Sequence, residues 1–157
     1  MRRRVMLTIA AVALAWSYWI AVIAGIGFAA SLSVPTMLWL GIVPTHGPTP
    51  PSWHLQYLAT ELALDTLAIF LVTVPFAWVL GRTFKRRGPL LGVAMTVVIV
   101  IATYRPFLED ILEPGNSTLR ALFLTDAAEI LAFLPLFVWL LQRLPSNYLY
   151  GVPRERK

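Results

Sequence analysis

The strongest constraint on this chain is a series of long apolar runs that charged residues interrupt only at the ends. Val5 to about Ala30 carries no charge, Thr66 to Gly81 carries none after Asp65, and Leu90 to Tyr104 carries none either. A last apolar run follows Glu129 and ends at Arg143. In lipid a backbone must satisfy its own hydrogen bonds, so runs of this kind form helices rather than isolated strands. The same argument overrides the β-branched stretch Thr96-Val97-Val98-Ile99-Val100-Ile101.

Of the 157 residues, 58% are hydrophobic and only 13% are charged. A soluble domain carries about 25% charged residues, so the class expected is a polytopic membrane protein. The expected fold is all-α, with four transmembrane helices over about 5–30, 53–80, 89–111 and 118–144. They form one up-down antiparallel bundle over 1–150, with an outer Pro-rich loop at 31–52 and a disordered basic tail at 151–157. Met1-Arg2-Arg3-Arg4 followed by apolar residues has the outline of a secretory signal, with small residues at Phe28-Ala29-Ala30-Ser31. The run is much longer than the 7–15 residues, roughly, of a signal core, so it reads as a retained first helix. Ala11 and Ala15, and Ala21 and Gly25, are spaced four apart, which suits close approach of a neighbouring helix.

The formal charge is +5, yet the basic residues sit at the ends of apolar runs, which argues against a nucleic-acid partner. Arg2, Arg3 and Arg4, then Arg82, Lys85, Arg86 and Arg87, then Arg143, Arg154, Arg156 and Lys157 all fall on one side of such a bundle; Arg105 and Arg120 fall on the other. The positive-inside rule then sets both termini in the cytoplasm and the protein in a cytoplasmic (inner) membrane. There is no cysteine, which excludes disulfides and thiol chemistry. No glycine-rich phosphate loop, nucleophile elbow or paired-histidine zinc motif occurs, and no cofactor is expected.

Acids on membrane helices are costly and face protein, water or a partner charge. Glu61 and Asp65 lie four apart on the second helix and share a face, as do Asp126 and Glu129, three apart, on the fourth. Asp65 precedes Arg82 by 17 residues and Asp126 precedes Arg143 by 17, which places both about 25 Å from the cytoplasmic interface at about 1.5 Å per residue. Arg105 follows Arg87 by 18 residues and reaches the same level. The expected arrangement is therefore a charged layer of Asp65, Arg105, Asp126 and Glu129, in which Arg105 ties three helices together. Glu61, His54 and Arg120 form its outer rim.

Three functions compete on these residues. The first is an accessory, assembly or scaffold subunit, surrounded by lipid and joined to other membrane subunits or to copies of itself. The second is a transporter-like or binding protein whose outward-facing acidic pocket takes a cation, a proton or a polar headgroup. The third is a membrane-embedded hydrolase or metalloenzyme using the same acids. No metal signature is present; the weak candidates for ligands are His54, Glu61 and Asp65, with His46 further out.

Overall fold

The structure, a computed structural model, describes residues 2–42, 53–113 and 115–144, with the side chains of residues 2–4 left aside. All regular structure among them is helical: α1 (Arg2–Trp39), α2 (Trp53–Phe84), α3 (Gly88–Tyr104), α4 (Leu108–Leu112) and α5 (Ser117–Arg143). Short 3-10 turns at Lys85–Arg87 and Arg105–Phe107 join α2 to α3 and α3 to α4.

Three helical stretches are long and apolar enough to cross a membrane: Val5–Trp39, Trp53–Leu112 and Ser117–Arg143. The second spans 60 residues and would measure about 90 Å if straight. It doubles back at Lys85, whose φ of 46° is the only left-handed non-glycine backbone among the described residues. The surface matches a lipid environment. Phe28, Leu71, Leu90, Val98, Ile101 and Leu124 are exposed, while Ser33, Thr73, Thr96, Asp65 and Asp126 are buried. A soluble protein shows the reverse.

Residue pairs across the contacts give the helix directions. Tyr18 meets Thr73 through its hydroxyl at 2.9 Å, and Gly25 lies against Ala68, so α1 and α2 are antiparallel. Thr66 meets Glu129 and Gly81 lies against Gln142, so α2 and α5 run parallel. Gly88 meets Val138 and Tyr104 meets Phe123, so α3 is antiparallel to α5. The order of packing is α1 on α2, α2 on α5 and α5 on α3, whereas α2 and α3 touch only lightly. Although only a 3-10 turn joins α2 to α3, α5 inserts between them. The Trp19 indole, donating to Thr103 Oγ1 at 2.9 Å, brings α1 against α3.

One helix boundary differs from expectation. Residues 31–39, assigned to the outer loop, continue α1 through Pro35. The buried positions Ala29, Ser33 and Met37 recur every four residues, so packing outweighs the hydrogen bond lost at the proline. Within the span 89–111 the 3-10 turn at Arg105–Phe107 separates α3 from α4, at the Arg105-Pro106 pair where a proline interrupts helical bonding. Asn116 precedes α5 without a side-chain cap; its amide donates to the Asp110 carbonyl at 3.0 Å and to Glu113. Residues 43–52 of the Pro-rich loop and the basic tail lie outside the described residues.

Gly88 is where α3 comes closest to α5. A Cβ there would lie 2.8 Å from Gln142 Nε2 and 2.9 Å from Val138 Cγ1, and the Gln142 amide is itself engaged with the Lys85 carbonyl. Gly88→Ala is expected to cost ~1–3 kcal/mol by overpacking. Gly27→Ala, with nothing within 4 Å of its Cβ, should be neutral or slightly stabilising. Thermal unfolding of both variants in detergent checks this; equal midpoints would show that the close approach at Gly88 is dispensable.

Candidate functional site

The buried positions of α2 are Glu61, Asp65, Ile69, Thr73, Ala77 and Leu80, and those of α5 are Asp126, Ile130, Leu134 and Val138. Each set repeats at nearly every fourth residue, the spacing that keeps side chains on one face. The acids are thus not set aside from the packing stripe; they are its N-terminal members. Because α2 and α5 run parallel and side by side, the two acidic ends arrive at one level. Asp65 is 2% exposed and Asp126 is 3% exposed. Glu129, half-buried, takes a short hydrogen bond of 2.6 Å from the Thr66 hydroxyl.

Glu61 is buried with them. It lies one turn before Asp65 on the same stripe, with Tyr57 one turn earlier on α2. The four acids interact electrostatically with one another across the α2–α5 contact. One oxygen of each, Glu61 Oε2, Asp65 Oδ1, Asp126 Oδ1 and Glu129 Oε2, is buried without a hydrogen-bond partner.

The cation expected in this layer is elsewhere. Arg105 is exposed, and among the described residues no ion pair joins it to the acids. It begins the 3-10 turn after α3, where the change of helical pitch carries its side chain off the packed face. Tyr104, one residue earlier, takes the inward position. Its ring packs on Phe123 at 5.3 Å and its hydroxyl is buried without a partner, within electrostatic range of Asp126, Asp65 and Glu129. Arg120 also turns away from the acids: its guanidinium donates to the Ile111 carbonyl at 2.9 Å and the Glu113 carbonyl at 3.2 Å, closing the end of α4. His54 is exposed, edge-on to Trp53 at 5.0 Å.

On α3 the inward position belongs to Tyr104 and not to Arg105, the residue expected there. The phase was available in the spacing Gly88, Gly92, Thr96, Val100, Tyr104, a run of every fourth residue whose first three members are buried. Thr66, the hydroxyl donor to Glu129, carried no signal beyond proximity to Asp65. Among the described residues, no group of three or more acidic, histidine or cysteine side chains is arranged to hold a metal ion; His46 lies outside them. The site is a cluster of four carboxyls with the neutral hydroxyls of Tyr57, Thr66 and Tyr104 nearby and, among the described residues, no ion pair to a cation.

The chain matches no family model, no curated protein and no solved structure.

The geometry separates two residues that share a depth. Thr66→Val should cost ~1–3 kcal/mol, because it removes the donor to Glu129 and leaves a half-buried carboxylate oxygen unsatisfied. Arg105→Gln should stay within ~0.5 kcal/mol of wild type, as exposed substitutions do. Unfolding midpoints in one detergent give the comparison, and a large loss for Arg105→Gln would return that residue to the interior.

Proposed function

We propose that this is a small multi-pass protein of the cytoplasmic membrane that binds a cation or proton from its outer side at the Glu61, Asp65, Asp126 and Glu129 cluster, in the manner of a transporter. In this reading α1, α2, α3 and α5 each cross the bilayer as an up-down bundle with both termini in the cytoplasm. The alternating helix directions support the bundle. Arg82, Lys85, Arg86, Arg87 and Arg143 at the opposite end from the acids support the orientation.

One observation carries the function: Asp65 and Asp126 are almost wholly buried and hold unpartnered oxygens, and among the described residues no ion pair joins a basic side chain to them. An uncompensated carboxylate in a low-dielectric interior is strongly unfavourable, so four of them in one place call for a neutralising ligand. A purely structural role as scaffold or accessory subunit rests on small-residue helix faces and, at the acids, on Arg105 supplying that neutralisation within the protein. With Arg105 exposed, the ligand-binding reading takes precedence.

Wild-type protein reconstituted in lipid vesicles is expected to bind or move a cation down an imposed gradient. Asp65→Asn and Asp126→Asn should each lose about tenfold or more, equivalent to about 1.4 kcal/mol. Retained helical circular dichroism and unfolding midpoints would show that the variants still fold. Vesicles as tight as protein-free controls, with no cation bound by the wild type, would remove the proposal.

A further inference from the structure

Resting on that reading, we infer that the ligand of the cluster is the proton itself, shared between the Asp65 and Asp126 carboxyls, with Tyr104 as the hydroxyl that positions it. The balance of donors and acceptors carries this. A metal cation requires several oxygens converging as acceptors. Here a lone pair of Glu129 is already claimed by the Thr66 hydroxyl, at 2.6 Å. The described acids, moreover, do not group into a metal-holding set.

What remains unsatisfied is one oxygen on each of four carboxyls, all of them acceptors when ionised. A proton converts one such oxygen into a donor, and that donor can satisfy an acceptor on the neighbouring carboxylate. One bound proton thus relieves two orphaned atoms and one like-charge repulsion together. Binding forms a single O–H bond on a carboxylate with the proton taken from bulk water; no other bond changes and no electron moves.

Tyr104 is the second observation pointing to a ligand. It is 8% exposed, its hydroxyl is buried without a partner, and its ring packs on Phe123, one turn before Asp126 on α5. As a donor to one carboxylate and an acceptor from a protonated one, it can hold the shared proton in either position.

The titratable groups facing the site are Tyr57, Glu61 and Asp65 on α2, Asp126 and Glu129 on α5, and Tyr104 on α3. At this level α1 presents the uncharged Ala29 and Ser33, both buried. Its Tyr18 is bonded to Thr73, two turns further along α2. Arg120 is spent on main-chain carbonyls, and Arg105 and His54 are exposed.

Infrared difference spectroscopy on the full chain in lipid vesicles tests this through the carbonyl band of protonated carboxyls. The wild-type band is expected to change amplitude with pH and to be indifferent to sodium, potassium, magnesium or calcium at constant pH. Asp65→Asn and Asp126→Asn should each remove part of it. Tyr104→Phe should keep the fold but move the titration midpoint, which a merely structural tyrosine would not do. A band that answers to one of those metal ions at constant pH, or whose pH response such an ion abolishes, overturns the proton and leaves the binding site standing. A wild-type protein indifferent to both pH and every cation overturns both. These two arms need no variant, so a substitution that fails to fold does not protect the inference.

Discussion

The contact between α2 and α5 is the interaction on which the rest of the structure depends. Each helix presents a stripe of buried residues repeating about every fourth position, and the stripes lie parallel along one another. Ile69, Thr73, Ala77 and Leu80 on α2 and Ile130, Leu134 and Val138 on α5 make the apolar part. In lipid there is no hydrophobic gain from bringing such helices together, so association rests on van der Waals fit and on buried polar contacts. The fit is supplied by small residues, with Gly81 against Gln142 and Val138. The polar contacts include the Thr66 to Glu129 hydrogen bond at the acidic end. The same register that packs the two helices forces four carboxyls together, so packing and site are consequences of one geometry.

The outer helices complete the arrangement with sparse polar contacts. Tyr18 bonds Thr73 and Trp19 bonds Thr103, so two adjacent residues on α1 reach α2 and α3 respectively. At the opposite end from the acids, Arg82 stands over Trp78 at 5.2 Å and Arg143 over Trp139 at 3.9 Å. Both pairs are four residues apart on parallel helices, and each keeps a guanidinium beside an aromatic face at the end of an apolar run. Charge at this end stays at the surface with aromatic partners. Charge at the acidic end is buried, and among the described residues no ion pair joins it to an opposite charge. That asymmetry is the reason to look for a ligand at one end and not the other.

Hydroxyl groups define what such a site can accommodate. Tyr57, Thr66 and Tyr104 are neutral at ordinary pH and can both donate and accept. They can stabilise an ionised carboxylate or follow a proton as it moves, but they cannot neutralise a net charge. An arginine in the position of Tyr104 would have closed the cluster as a static ion pair. A tyrosine leaves it open to exchange with the medium.

The amino-acid sequence by itself determined the helical class, the long apolar helices and the positions of the acids along them. These depend on local quantities: apolar length, the positions of charges along the chain and a fixed rise per residue. It also showed that Glu61 shares a face with Asp65, and Asp126 with Glu129, because spacing alone sets that. Only the tertiary structure decided which helices are neighbours and which way each is rotated. The short connection from α2 to α3 gave no hint that α5 would lie between them. At Arg105 the outcome turned on one residue, about 100° of helical rotation and a change to 3-10 pitch, none of which depth reveals. Tyr104 therefore faces the acids and Arg105 faces outward, because rotation about a helix axis is set by what the helix packs against.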